Sequence, residues 1–410
     1  MLDTKEHRDA RHTTSDFDEG IDVAATRRTE DVLATLDSLE QLIESLNRVP
    51  AIPEHPEVRC LSNSRPIKTQ PCTVCASKQA RPLYSIDGVA EQLVVCESCG
   101  LGSLSPLPDS KRIGDFYPAE YYGSPSAKFE PLVEYGVRLG ATMRVRSLVS
   151  GLDRGSRVLD VGCGRGVMLR ALLDLGYEAH GVEISPEAAA GVDPRARIRI
   201  APDLADAAYE TDSFDAVILW HVLEHLPHPE RTLEELHRII RPGGRLVVAV
   251  PNFASWQARG TGAHWFHLDL PRHLYHFTPQ TLTRLVNRYN FDCHTLRHFA
   301  LLQNPFGWLQ SWLNRLSDAP RNSLYTMLHR GSGGESTNLS SRQRFLLRTA
   351  YLLGLPIAGA VSLAEAAFRS GGTIALTAQP GKPATTAPRS EDRVRQTALV
   401  ESGQCHSTDR

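Results

Sequence analysis

The sequence predicts an α/β fold built on a mostly parallel, doubly wound sheet, and three observations carry that prediction. The first is the stretch 157–175, where Val158, Leu159 and Val161 read as a short buried strand. Gly162, Gly164 and Gly166 end that strand, and a helical apolar pattern follows at once through Val167, Met168, Leu169, Ala171, Leu172, Leu173 and Leu175. The second is recurrence: strand-like runs return at 178–183, 198–200, 213–220 and 246–252, with a helical pattern at about 229–240 between the last two. The third is Glu183, an acidic residue that ends the second of these strands, seventeen positions after Gly166.

A strand, a glycine turn and a helix bring bare backbone N–H groups and a helix start up to a ligand. Glycine suits the turn because it tolerates positive φ and allows close approach. The spacing separates possible ligands. A dinucleotide fingerprint asks for glycine or alanine at the sixth position, where this chain has Val167. Asp160 also sits at the strand end, and its charge would repel a pyrophosphate but suits a cation or an amine. A carboxylate at the position of Glu183 reaches a ribose diol, in nicotinamide enzymes as in other nucleoside binders.

At this point the segment resembles motif I of the class I S-adenosylmethionine-dependent methyltransferases, with Asp160, Gly162, Gly164 and Gly166 in the order Asp-x-Gly-x-Gly-x-Gly. The resemblance extends through Glu183, through the run from Phe214 to Trp220 followed by His221-Val222-Leu223-Glu224-His225, and through Arg241-Pro242-Gly243-Gly244 before an apolar strand. It is closest to the ubiquinone-pathway-like and sugar-methyltransferase-like group, and covers about 72–300. It implies a Rossmann-like methyltransferase sheet with helices on both faces. It also implies S-adenosylmethionine as cofactor, held by Asp160, Gly162, Cys163, Gly164, Gly166, Glu183, Asp203 and Leu204, with His221 beside it at a strand end. Glu224 and His225 are expected at least as much to stabilise the turn before Pro227. An NAD(P)-dependent oxidoreductase is the first rival reading, and a non-catalytic zinc-ribbon adaptor the second.

Taken from the start, the 410-residue chain has the size of two or three domains. Hydrophobic residues at 41% and charged ones at 22% are globular values, and a net charge of −2 argues against a general nucleic-acid binder. No apolar signal segment opens the chain, so a cytoplasmic location is expected, with contact at a membrane as an open addition. Residues 1–56 read as a disordered arm carrying an amphipathic helix at 29–47, where Val32, Leu36, Leu39, Ile43 and Leu46 follow a heptad stripe. That stripe raises two readings, homodimerisation or docking within the protein, and its short length favours the second.

Cys72-x-x-Cys75 and Cys96-x-x-Cys99 follow, in a module at 60–110 with hairpin strands at 83–86 and 92–95 around Asp87-Gly88. Two such knuckles can close a tetrahedral site, so structural Zn2+ on Cys72, Cys75, Cys96 and Cys99 is expected. Four cations against four anions in this module give no basic stripe, and no nucleic-acid partner is expected. Residues 111–150 form a linker and a helix at about 130–149, with Tyr117, Tyr121 and Tyr122 either closing over the ligand or packing.

The cofactor domain spans 151–300. Its segment 264–277 holds four of the sixteen histidines, His264, His267, His273 and His276. A hydroxyl or C–H acceptor needs its proton removed, and histidine is the usual side chain. By analogy with zinc-bearing sugar methyltransferases, Pro271-Arg272-His273 makes His273 the leading base, with Asp269 and Tyr275 orienting it or a small-molecule acceptor. Arg272 is a candidate for an acidic group on that acceptor. Residues 301–379 read as a lid or helical insertion with Trp308 and Trp312, followed by a final strand at 372–378 inserted antiparallel beside the fifth. Within it 349–364 carries no charge, is interrupted by Pro356, and reads either as a helical hairpin packed on the sheet or as an interfacial membrane anchor. Residues 380–410 read as a disordered tail.

Overall fold

The computed structural model describes residues 57–61, 64–117, 129, 131–317, 319–329 and 339–381. The expected helix at 29–47, Tyr121, Tyr122, most of the polar loop at 331–341 and nearly all of the tail lie outside the described residues.

The N-terminal strands are β1 (Val58–Cys60), β2 (Ile67–Lys68), β3 (Gln79–Ile86), β4 (Gln92–Cys96) and β5 (Gly102–Ser105), followed by the helices α1 (Ser110–Asp115) and α2 (Pro131–Leu148). Then come β6 (Arg157–Val161), α3 (Val167–Asp174), β7 (Glu178–Glu183), α4 (Pro186–Ala189), β8 (Arg197–Ile200), β9 (Phe214–Trp220), α5 (Pro229–Ile239) and β10 (Ile240–Pro251). The chain continues through α6 (Trp256–Thr261), β11 (Tyr275–His276), α7 (Pro279–Arg288), β12 (Phe291–Arg297), α8 (Gln303–Leu316), α9 (Ser323–Leu328), α10 (Ser341–Ala367) and β13 (Thr373–Pro380).

The large sheet runs β12-β13-β10-β9-β6-β7-β8. Its five strands from β10 to β8 are parallel, and β13 enters antiparallel between β10 and β12. The parallel strands read as unbroken apolar runs because both faces are covered: Val158, Leu159, Ala216, Val217, Ile218, Leu219 and Leu246 to Val250 are all buried. The chain leaves β6 towards β7 and β8, then returns to the other side of β6 with β9 and β10. The carboxyl ends of β6 and β9 therefore border the topological switch point, where open α/β sheets bind ligands.

The second sheet is built by the cysteine module, with β1, β3, β4 and β5 in order and β2 on β3. Its last strand, β11, comes from the histidine-rich segment: Tyr275 pairs with Ser103 and His276 with Gly102. Gly102 permits this approach, since a Cβ there would lie 2.9 Å from the Cβ of His276. The module is thus joined through backbone pairing to the loop that follows the fifth parallel strand.

One element differs from the sequence expectation. In place of a hairpin, 349–364 lies inside the single 27-residue helix α10, with Pro356 in its interior. Proline removes one backbone hydrogen bond and strains a helix. Here a Ser340–Gln343 capping box fixes the start, and Glu365 anchors the far end against α6 and α8. Trp308, expected in a lid, is buried at this anchor and donates from Nε1 to Glu365 Oε2 at 2.8 Å.

Candidate active site

The glycine turn has the backbone the sequence required. Gly162, Gly164 and Gly166 take φ of +66°, +49° and +71°. A Cβ on Gly162 would come 2.7 Å from Val222, whereas one on Gly164 would meet nothing within 4 Å. The turn is therefore packed at its base and open at its tip. Across it stands Glu183, whose Oε2 accepts from the Gly164 N–H at 2.8 Å and whose Oε1 accepts from the Ile184 N–H at 2.9 Å.

Asp160 is buried behind the turn, and burial, reinforced by the nearby Glu183 charge, pushes its carboxyl up to about 8. The Arg144 guanidinium, lying 4.1 Å over the Trp220 ring, opposes that shift. Two acidic side chains lie beside open backbone, one of them held largely protonated by burial, and a cationic ligand bearing a diol fits this arrangement because its charge would favour ionisation of Asp160. Cys163 turns its thiol into the core against Gly181, so its backbone rather than its side chain belongs to the turn. Beyond β8, Leu204 is buried and Asp203 is half-buried, with Oδ1 accepting from the Ala205 N–H at 3.4 Å.

The histidine segment folds back onto the end of β9. The Leu274 N–H donates to Glu224 O at 2.8 Å, which sets 267–276 against the short helical turn Leu223–His225. His221 sits just past β9 with φ of +56°, a left-handed conformation uncommon for a side chain of this size. Its Nδ1 lies 3.1 Å from Glu224 Oε1, its ring stacks on His267 with centroids 5.9 Å apart, and its Nε2 has no partner among the described residues. Glu224 is 1% exposed, and its second oxygen is also unpartnered. Burial disfavours the charged form of both groups, lowering His221 to about 3 and raising Glu224 to about 7.

His273 lies one layer deeper. Its Nδ1 is 2.8 Å from His267 O, its ring meets that of His225 at 4.6 Å, and its Nε2 is 3.8 Å from Asp269. Burial, with His225 adding to it, holds its imidazole well below the usual range. Asp269 is paired internally with Arg272 at 2.6 Å; burial works against its charge, but that guanidinium holds the carboxyl below its ordinary value. Arg272 is thereby engaged within the loop. His225 Nδ1 lies 3.0 Å from Arg272 O and 2.8 Å from the Tyr117 hydroxyl, so Tyr117 reaches this cluster.

Tyr275 faces the cysteine module. Its hydroxyl donates to Pro227 O at 3.2 Å, and its ring helps line a cavity of about 240 Å³ with Cys72, Thr73, Ser103, Pro227 and Glu230. Of the three catalytic candidates, Asp269 and His273 come together and Tyr275 stands apart. Glu224 is the residue that sequence reasoning undervalued. Its adjacency to Pro227 reads as a turn signal, and only the fold shows it facing His221.

The four cysteines converge. Cys72 and Cys99 sulfurs lie 3.6 Å apart, Cys75 and Cys96 sulfurs 3.5 Å apart, and all four fall within 4.8 Å of one another. Tetrahedral thiolates at about 2.3 Å from Zn2+ would sit roughly 3.8 Å apart, so the arrangement fits that ion.

A mostly parallel sheet with this order, an acid-glycine turn at its switch point and a carboxylate on the neighbouring strand define an α/β fold of the nucleoside-binding kind. Residues 138–296 match the family described as a methyltransferase domain. A ubiquinone biosynthesis O-methyltransferase from Cupriavidus pinatubonensis is 27% identical over 228 residues, covering 52% of this chain and 88% of that protein. Another of the same description, from Xanthomonas oryzae pv. oryzae, is 33% identical over 134 residues, covering 30% of this chain and about half of that protein, 55%. Among solved structures, geranyl diphosphate C-methyltransferase from Streptomyces coelicolor shares 15% identity at a TM-score of 0.38, covering 66% of this chain and 88% of that one. Residues 138–296 form a class I S-adenosylmethionine-dependent methyltransferase domain.

Proposed function

We propose that the enzyme methylates a small-molecule acceptor, and that the acceptor proton leaves through the pair His221–Glu224. The acceptor classes in view are a nucleotide-linked sugar, a quinone-like ring and a lipid-linked glycan. The names of the O-methyltransferase relatives favour a hydroxyl as the attacking group. One observation carries the reading: at the switch point, His221 presents an unpartnered Nε2 while its Nδ1 is held by a buried carboxyl.

When bound, S-adenosylmethionine supplies an electrophilic methyl on a positively charged sulfur. Asp160 would balance cationic charge on the ligand, Glu183 would accept from the ribose hydroxyls, and the Gly162, Gly164 and Gly166 turn would leave room for backbone contacts to it. Asp203 and Leu204 would hold the adenine side. His221 takes the acceptor proton on Nε2, and Glu224 stabilises the imidazolium that forms, as a buried carboxylate does beside a general-base histidine. His273 and Asp269 back this pair from the interior, fixing the loop that carries His267. Structural Zn2+ on Cys72, Cys75, Cys96 and Cys99 would hold the β5–β11 seam, and with it the acceptor loop, in place. We assign the enzyme to the cytoplasm.

The reading is tested with methyl-labelled S-adenosylmethionine and the full chain against three acceptor pools: nucleotide sugars, catechols with and without prenyl tails, and lipid-linked glycans. Label should enter a hydroxyl in one pool, and His221→Ala should abolish transfer while leaving cofactor binding within about twofold. Label in no pool, or transfer by His221→Ala at the parent rate, overturns it.

A further inference from the structure

We propose that the outer face of α10 is a docking surface for an anionic lipid bilayer, on which the enzyme lies without crossing. This stands on observations separate from the methyl-transfer reading. Among the described residues α10 is the helix long and apolar enough to cross a membrane by length and composition. Its inner face is committed to the protein. Leu347, Ala358, Ser362 and Glu365 are buried, and α10 packs on α8. Glu365 accepts from the Gln257 N–H and from Trp308 Nε1, a polar anchor that ties the helix to the catalytic unit. A helix so pinned cannot be surrounded by lipid.

The opposite face is apolar and bare. Phe345, Leu346, Leu352, Leu353, Ile357 and Leu363 are 69%, 51%, 71%, 68%, 60% and 60% exposed. Their helical spacing puts them on one stripe, which extends about 27 Å at roughly 1.5 Å per residue. Scattered exposed leucines are ordinary, but a continuous stripe of this length marks an interaction site.

Charge selects the occupant. The exposed ionisable groups of the helix and its C-terminal flank are cationic: Arg342, Arg348 and Arg369, with Arg344 half-buried beside them. The single acid in the helix, Glu365, is fully buried. An apolar stripe edged by arginines, with no exposed carboxylate on the helix among the described residues, fits the interface of a bilayer rich in anionic headgroups. A second copy of the same face would set arginine against arginine in a parallel pairing, so self-association is the poorer match. Because α8 also packs against the loop Phe266–Leu268, the bilayer would lie two helices away from the histidine cluster.

The test is vesicle co-sedimentation of the full chain, using phosphatidylcholine alone and phosphatidylcholine with about 30 mol% phosphatidylglycerol, a composition that gives the surface negative potential. Wild type should pellet with the anionic vesicles. The Arg342→Gln/Arg344→Gln/Arg348→Gln variant should bind them roughly 100-fold more weakly. Leu352→Glu/Leu353→Glu should stay in the supernatant while binding S-adenosylmethionine as wild type does, which shows that it is folded. The proposal fails if wild type does not pellet with anionic vesicles, or if both variants pellet as it does. It also fails if light scattering shows a dimer that the Leu352→Glu/Leu353→Glu variant dissolves and no vesicle binding accompanies it. Loss of methyl transfer to a soluble acceptor would count against the catalytic reading alone.

Discussion

Replacing Glu224 by Gln isolates the charge that the proposed base depends on. The carboxyl is 1% exposed, and its Oε1 lies 3.1 Å from His221 Nδ1. A glutamine fits the same volume and its amide oxygen still accepts from Nδ1–H, so the tautomer and ring position are kept while the charge is lost. A unit charge about 4 Å from an imidazolium contributes about 4 kcal/mol at an effective dielectric constant near 20. At about 1.4 kcal/mol per decade, that predicts a fall in kcat of up to roughly 10³-fold when Glu224 is ionised. Because burial raises Glu224 to about 7, the wild-type rate should climb with pH through that value as the proton is lost. The variant should show no such limb, and the two enzymes should converge at about pH 5.5, where the wild-type carboxyl is protonated too. The assay is the pH profile of kcat at saturating cofactor on the acceptor that turns over, with cofactor affinity measured in parallel. A variant that keeps the limb near 7, or stays within about threefold of wild type at pH 8.5, refutes the assignment.

Two further outcomes follow from the same geometry. Asp160→Asn should weaken S-adenosylmethionine about 10- to 100-fold by titration, the loss of one charge-assisted contact. The same change should stabilise the ligand-free protein near neutral pH. The folded carboxyl titrates at about 8 against 3.8 unfolded, so wild type loses stability as pH rises through that window and the asparagine variant should not, as thermal melts across it would show. Cys96→Ser, or a chelator where Zn2+ fills the four-cysteine cluster, should cost methyl transfer while leaving cofactor affinity nearly intact, since the cysteine sheet meets the catalytic sheet's loop at β11 and not at the glycine turn. Equal loss of cofactor affinity and turnover would show that the module supports the whole fold.

The parts of this molecule that were legible in the sequence are those whose cause is local. Val158, Leu159 and Val161 name a buried strand because both faces of a parallel sheet are covered, and Gly162 names a tight turn because it takes a positive φ and a Cβ there would lie 2.7 Å from Val222. The cysteine pairs name their cluster because each knuckle spans only four residues. What escaped has causes distributed along the chain. Strand β11 is two residues long, too short for any periodicity, and exists because Gly102 lets His276 approach. Pro356 argues for a break in α10, and the break is overruled by an anchor at Glu365 that no residue near Pro356 announces. Glu224 reads as part of a turn until the backbone bond from Leu274 brings the histidine loop beside it. The same bond explains why His273 was the natural choice for the base from sequence. Its segment packs against the strand end, and the register that docks it turns His273 inward, while His221, like His267 and His276, keeps one ring nitrogen without a partner among the described residues. One hydrogen bond between segments fifty residues apart, 274 and 224, thus decides which histidine lies nearer the strand end, and the paired variants His221→Ala and His273→Ala test which of the two is the base.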